Sequence, residues 1–322
     1  MGKVHHVLHS QDFDRALLER LFAEADKFNE GYHKPGGHFA FCDMFPGRLM
    51  YSFFYEPSTR TRFSFETAAR RLGMSVVSTE NASQFSSKVK GESLEDTIRV
   101  LCGYGPDVIV LRHKADDSAD RAARIADLYG VPIVNAGAGK SQHPTQALLD
   151  IYTIANKFGS VDGRHVMIGG DLSNGRTTKS LAHLHAKFAG TSITFVSPPE
   201  LRIGQDILDH LDEHGVQYSE VTSRDGFLAA LPAADVVYWT RPQTERSDDP
   251  VVRRAMEQVA ANYRIGNSEL ALMKPGAIIM HPLPRNDEIA KEVDDDLRAY
   301  YFKQAENGLY IRMALLSYIL SA

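Results

Sequence analysis

The chain has 322 residues, enough for roughly two domains of ordinary size, and its 43% hydrophobic and 24% charged residues allow a large core. Its two cysteines, Cys42 and Cys102, stand far apart, which excludes a disulfide framework and a CxxC metal site. A formal net charge of −5 argues against a nucleic-acid surface, and no apolar run approaches the roughly 18 residues of a membrane span. The start, Met1 to His6, has no apolar signal segment, so a cytoplasmic protein is expected.

Phe13, Leu17, Leu21, Ala25 and Phe28 recur every three or four residues and predict an amphipathic helix opening near Asp12 and Asp14. Short apolar runs follow at 49–55, 75–78, 107–111 and 132–135, separated by helical patterns at 58–72, 92–103 and 117–129. After a helix near 144–157, a second series places strands at 165–169, 192–196, 235–239 and 277–280. Its helices fall near 176–189, 206–213, 224–231 and 250–262. Runs apolar on both faces, alternating with helices, predict parallel sheets buried on both sides. The expected class is α/β, with two doubly wound parallel-sheet domains divided near residue 150. The segment 309–321 is apolar enough to dock, so a C-terminal helix over about 306–322 is expected to return to the first domain, 1–150, leaving 151–305 as the second.

The strongest local signal is Phe54-Tyr55-Glu56-Pro57-Ser58-Thr59-Arg60-Thr61-Arg62, which follows a predicted strand and opens a helix ending at Gly73. A helix N-terminus offers unpaired N–H groups and the positive end of the macrodipole. Two arginines there oppose the dipole, which makes sense if an anion sits among them. A capped helix with surface arginines is the bland alternative.

Ser58-Thr59-Arg60-Thr61-Arg62 resembles the carbamoyl-phosphate motif of the aspartate and ornithine carbamoyltransferase family. Three further stretches match in order and spacing: Ser86-Ser87-Lys88-Val89-Lys90-Gly91-Glu92-Ser93, Arg112-His113 and His143-Pro144-Thr145-Gln146. The similarity runs from about residue 48 to the C-terminus. It implies a carbamoyl-phosphate domain followed by an amino-acid domain. Ser58, Thr59, Arg60 and Thr61 would hold the phosphate together with Ser86, and Thr61, Arg112 and His143 would polarise the carbamoyl oxygen. Gln146 would hold the carbamoyl NH₂, and Lys90, chosen over Lys88 because Gly91-Glu92 follows it, would come from a loop lent by a neighbouring subunit. The bland reading of His143 is a residue that merely precedes a helix with Pro at N1.

The second half decides the amine. Aspartate brings two carboxylates and calls for cations, whereas ornithine calls for acidic partners. Thr240-Arg241-Pro242-Gln243-Thr244-Glu245-Arg246 resembles the aspartate-binding loop of the family's aspartate branch, and Gly170 to Thr177 places Arg176 at another strand-to-helix turn. His281-Pro282-Leu283-Pro284-Arg285 matches the same branch; the ornithine branch has Cys where Pro282 stands, and its Ser-Met-Gly loop is absent. The resemblance therefore implies aspartate binding by Lys90, Arg176, Arg241, Gln243, Leu283 and Pro284. Glu56, Arg176 and Arg246 are implied in domain closure, and a carboxylate beside a phosphate site needs a cationic partner. The implied reaction moves the carbamoyl group of carbamoyl phosphate to the amino group of L-aspartate, an early step of de novo pyrimidine synthesis.

No cofactor is expected. Gly137-Ala138-Gly139-Lys140-Ser141 lacks the first glycine of a P-loop, and Gly169-Gly170-Asp171 is no GxGxxG. His183 and His185 lie two apart on a helix and diverge, so no metal is expected. The Gly31–Cys42 stretch is longer than the resemblance anticipates, and Trp239, just before the aspartate loop, would narrow the pocket. A homotrimer with shared active sites is implied, with a regulatory chain or dihydroorotase left open as partners. Transfer to another amino acid, or an inactive binding paralogue, remain the competing readings.

Overall fold

The computed structural model describes residues 5–82, 91–244 and 248–321. The chain divides into two units, Met1–Tyr152 with Glu306–Ala322, and Thr153–Ala305.

In the first unit the opening helix α1 (Arg15–Tyr32) starts on Asp14, whose side chain accepts from the Leu17 N–H, and buries Leu18, Leu21, Phe22, Ala25 and Phe28. Strand β1 (Leu49–Phe54) leads into α2 (Thr59–Arg71), then β2 (Ser75–Thr79), α3 (Leu94–Gly103), β3 (Val108–His113), α4 (Ser118–Ala126), β4 (Ile133–Ala138) and α5 (Pro144–Phe158). The sheet order is β2-β1-β3-β4, and every pairing is parallel. Ile109, Leu111 and Ile133 pack with Ile98, Ala122 and Ala126 of the covering helices. Each such large side chain taken from water contributes about 1.5–3 kcal/mol.

The long stretch before β1 folds over the ends of α1 and α2. Phe41 meets Phe28 edge-on at 4.8 Å, His38 meets Tyr32 at 4.5 Å, and the Arg71 guanidinium donates to the His38 carbonyl at 2.7 Å. Gly73, φ 86°, ends α2 in the left-handed region, with the Met74 N–H returning to the Ala69 carbonyl at 2.9 Å.

The second unit contains β5 (His165–Gly169), α6 (Arg176–His185), β6 (Ser192–Val196), α7 (Gln205–Glu213), β7 (Gln217–Val221), α8 (Arg224–Ala230), β8 (Val236–Trp239), α9 (Pro250–Asn262), α10 (Asn267–Leu270) and β9 (Ile278–Met280). Its sheet, β7-β6-β5-β8-β9, is also parallel throughout. The chain ends in α11 (Tyr301–Leu320), which begins eight residues earlier than its apolar pattern suggests. Strand β7 is absent from the sequence reading. Gln217, Ser219 and Glu220 sit on a half-exposed edge strand, where no apolar run is required.

Gly73 generates a stability prediction. An added Cβ would stand 1.9 Å from the Cys42 carbonyl oxygen, on a backbone that already disfavours L side chains by about 1–2 kcal/mol. Gly73→Ala is expected to lose at least that much in urea unfolding, with the folded protein otherwise unchanged. An unaltered midpoint would contradict the close packing of the 31–47 segment on α2.

Candidate active site

Each sheet changes its direction of growth once, between β1 and β3 in the first unit and between β5 and β8 in the second. Loops leaving such a point diverge, and the crevice outside the carboxyl ends is where open α/β sheets hold ligands. In the first unit Glu56 to Thr61 follow β1, Arg112 lies at the end of β3, and β4 leads through Gly139 to His143 at the head of α5. Backbone bonds tie these ends together. The Tyr55 N–H donates to the Arg112 carbonyl at 2.8 Å, and the Gly139 N–H donates to the His113 carbonyl at 3.0 Å.

Helices α1 and α3 are capped by their own Asp14 and Ser93 side chains. Helix α2 is different, because Ser58 at its N-cap makes no capping bond. Its first-turn N–H groups have no partner within the helix, and the turn carries Ser58, exposed Thr59 and buried Thr61. The two arginines of this turn have separate fates. Arg62 pairs with Glu80 at 3.1 Å and lies 3.9 Å from Glu66. Arg60 has no hydrogen-bond or ion-pair partner among the described residues, and partial desolvation lowers its pKa from the ordinary value. An unbalanced cation at an open helix N-terminus is an anion site in waiting.

Glu56 finds its cation within this unit, since Arg112 Nε stands 3.7 Å from its carboxylate. Arg112 also donates to the Ala136 carbonyl at 3.3 Å, which aims the guanidinium across the ends of β3 and β4. His143 is buried, with Nδ1 3.5 Å from the Thr145 hydroxyl. Gln146, one turn into α5, donates its Nε2 to Asp150 at 2.9 Å. That bond fixes the amide orientation and leaves Oε1 as the acceptor on the other side. Asp150 is fully buried and shares the interior with Arg312 of α11, whose guanidinium lies over the Phe65 ring at 5.0 Å. Burial pushes the Arg312 pKa down, and the Asp150 charge opposes that shift.

In the second unit the ends of β5, β8 and β9 carry Gly170 to Arg176, Thr240 to Gln243, and His281 to Pro284. Asp171 staples the first two loops. Its Oδ1 accepts from the Ser173 hydroxyl at 3.1 Å and the Asn174 N–H at 3.2 Å, while Oδ2 accepts from the Gln243 N–H at 3.2 Å. The Gln243 amide returns a bond to the Asn174 carbonyl at 3.1 Å. Gly170, φ 111°, permits this closeness, because a Cβ there would stand 2.2 Å from the Thr240 carbonyl. Arg176 is buried at the start of α6, and half-buried Arg241 donates to the Pro242 carbonyl at 3.0 Å.

Leu283 and Pro284, joined by a cis peptide, follow β9. The Leu283 N–H donates to His281 Nδ1 at 2.8 Å, which leaves the ring proton on Nε2 to be donated to Glu288 at 2.9 Å. Both partners are buried.

Two expectations, on Trp239 and on the partner of Glu56, are adjusted. Trp239 does not narrow a pocket: its ring is fully buried, 5.1 Å from Phe227, and packs so closely on Gly169 that a Cβ there would meet it at 2.3 Å. Glu56 already has Arg112 beside it, and the P-loop-like Gly139-Lys140 turns its backbone to Asp116, the Lys140 N–H donating at 2.6 Å. Ser86, Lys88, Lys90 and Arg246 lie outside the described residues. Asp150 and Asp171 escaped the sequence reading, although Gln146 and Asp150 have the i, i+4 spacing of a helical side-chain pair.

Two family models together match most of the chain: the carbamoyl-P binding domain of aspartate/ornithine carbamoyltransferase at residues 5–156, and the Asp/Orn binding domain at residues 162–319. Aspartate carbamoyltransferase 1, chloroplastic, of Pisum sativum is 46% identical over 98% of this chain and 78% of its own. The aspartate carbamoyltransferase catalytic subunit of Chromobacterium violaceum is 41% identical, covering 98% of both chains. The crystal structure of Trypanosoma cruzi aspartate transcarbamoylase with carbamoyl phosphate and aspartate superposes with a TM-score of 0.89 at 37% identity, over 98% of this chain and 96% of that one.

The His281–Glu288 bond has a pH signature. Burial is the largest single influence and would raise the Glu288 pKa, but His281 together with the backbone donors of Asn286 and Glu288 outweighs it and holds the carboxyl below its ordinary 4.5. A depressed carboxylate contributes stability that is full above the unfolded value and lost as pH falls through the folded one. Glu288→Gln should therefore flatten the loss of stability below about pH 4.5. Equal acid slopes for both proteins, measured by urea unfolding, would remove this pair from the acid response.

Proposed function

The chain belongs to the aspartate/ornithine carbamoyltransferase family, and on that premise we propose that it transfers the carbamoyl group of carbamoyl phosphate to the amino group of L-aspartate, giving N-carbamoyl-L-aspartate and phosphate. The observation that carries this reading is the open N-terminus of α2 with its unbalanced Arg60. Ser58, Thr59, Arg60 and Thr61 hold the phosphate, joined by Ser86. Thr61, Arg112 and His143 donate to the carbamoyl oxygen as it gains negative charge. Gln146, its amide oriented by Asp150, accepts from the carbamoyl NH₂. The unprotonated amine attacks the carbonyl carbon, forming the C–N bond. Collapse of the tetrahedral intermediate breaks the bond to phosphate, which departs with the electron pair and takes up the proton that the attacking nitrogen sheds.

Arg176, Arg241 and Gln243 receive the aspartate carboxylates, with Lys90, Leu283 and Pro284 completing the site. Against ornithine stands the commitment of Asp171, the carboxylate of the Gly170–Arg176 loop, whose oxygens already accept from Ser173, Asn174 and Gln243. It is committed to structure and is a poor partner for a second ammonium. Glu56 and Arg246 are assigned to closure of the site.

The finer proposal is a cytoplasmic homotrimer whose active sites take Ser86 and Lys90 from a neighbouring copy. It is supported by the exposed edge strand β2, where Val77 is 58% exposed, and by Phe63 of α2 at 53%. None of the described helices is long and apolar enough to cross a membrane.

A ureido assay over a panel of amino acids tests the reaction directly, and a product with aspartate is expected. Arg112→Ala and His143→Ala should each lower kcat by about 10²–10³-fold, the loss of one oxyanion donor. Arg241→Ala should raise the aspartate KM while carbamoyl phosphate binding stays unchanged. Equal weakening of both ligands would refute that division of roles. For the shared site, inactive Lys90→Ala and Arg112→Ala subunits are dissociated, mixed and reassociated. About three-quarters of random 1:1 trimers are mixed with one intact site of three, so recovery to roughly a quarter of wild type is expected under closed symmetry. Activity that stays at the mutant background would end the shared-site reading.

A further inference from the structure

The second unit carries a cluster of imidazoles that the reaction does not use. His210-Leu211-Asp212-Glu213-His214 ends helix α7, and the i, i+3, i+4 spacing sets two histidines and a glutamate on one face. Candidate ligand atoms of His210, Glu213 and His214 all lie within 4.8 Å of one another. The rings of His210 and His214 are 4.1 Å apart, and His183 of α6 packs against His210 at 4.3 Å. We propose that His210, Glu213 and His214 form a binding site for a divalent transition-metal cation of the zinc, cobalt or nickel class.

Three observations beyond the clustering support it. His214 Nδ1 is 2.8 Å from the His210 carbonyl, so that nitrogen holds the proton and Nε2 keeps its lone pair. Metal-binding histidines are commonly oriented in this way, through a bond from the other ring nitrogen to a backbone carbonyl. His210 Nε2 is buried and has no hydrogen-bond partner among the described residues, an arrangement that a ligand would relieve. Third, the site sits at the negative end of the α7 dipole, which favours a cation.

Lys187 opposes a bound cation, while Asp206 and the Glu213 carboxylate favour one. Imidazole nitrogens with a carboxylate suit borderline cations such as zinc better than magnesium or calcium. The helix end is also fixed in advance: Gly215, φ 66°, turns the chain and the Val216 N–H returns to the Leu211 carbonyl at 2.9 Å.

The cluster lies where α7 enters β7, at the amino edge of the second sheet, whereas Arg176, Arg241 and Gln243 occupy its carboxyl edge. The cation is therefore a clasp on the end of a helix, with no part in carbamoyl transfer.

Cobalt(II) provides the readout, because its visible absorption reports nitrogen ligation. Untagged full-length protein titrated with Co²⁺ should develop saturable bands at one equivalent per chain, and Zn²⁺ should bleach them. His214→Ala and His210→Ala should each lose the bands, and Glu213→Gln should alter them. Replacing His5 and His6 by Asn should leave them intact. Zn²⁺ should raise the melting temperature of the wild type but not of His214→Ala, since only a ligand bound to the folded state stabilises it. Carbamoyl transfer should be unchanged in His214→Ala. Absence of saturable bands in the wild type, or bands that survive both His210→Ala and His214→Ala, would overturn the proposal. His214 is exposed, so its replacement tests ligation without disturbing the core.

Discussion

Parallel pairing is the constraint from which the rest follows. Strands that all run one way deliver all their carboxyl ends to one edge, and each return must cross a face of the sheet as a helix. Chemistry can then be assembled only from the loops at that edge. In the first sheet β1 sends the chain one way to β2 and β3 sends it the other way to β4, so the Glu56–Thr61 loop and Arg112 part company with space between them. The second sheet repeats the device with β5 and β8. Two edges that gather arginines, Arg60 and Arg112 on one and Arg176 and Arg241 on the other, arise from one topological rule applied twice.

Within that frame, charge accounting separates structure from chemistry. Arg62 and Arg60 stand two residues apart in one turn, yet one is neutralised by Glu80 and Glu66 while the other has no described carboxylate near it. Asp150 and Asp171 show the complementary economy. Each is fully buried, and each spends its oxygens on holding a neighbour still: Asp150 orients the Gln146 amide, and Asp171 joins the β5 and β8 loops. A buried carboxylate is costly unless bonded, so these positions tolerate little variation in their partners.

The alternation of strand and helix, and with it the parallel α/β class, was legible because buried strands such as Val108–His113 must be apolar and short. Strand β7 was not, since an edge strand pairs on one side only and tolerates Gln217 and Glu220. The motifs located the strand ends that carry Arg112, His143, Arg176 and Arg241. What they could not give was the partner of each side chain. Asp150 and Arg312 meet although the whole second unit separates them in sequence, and His210 meets His183 only because α6 and α7 pack together. Trp239 was misjudged for a related reason: Val236 to Trp239 are buried on both faces, so alternation does not say which way the ring turns.

The Asp150–Arg312 neighbourhood also orders events in time. The unit that holds Ser58–Thr61 and His143 is completed by Glu306–Ala322, so its interior carboxylate waits for a cation encoded beyond the whole of the second unit. During synthesis at about 5–20 residues per second, the stretch Thr153–Ala305 delays that arrival by on the order of ten seconds. Until then Asp150 has no counter-charge from Arg312, and the first unit must stay open enough to hydrate it. The half of the enzyme made first is therefore the half finished last. A nascent chain that has emerged through Ala305 and no further would hold every residue of the second unit while the first still lacks Arg312.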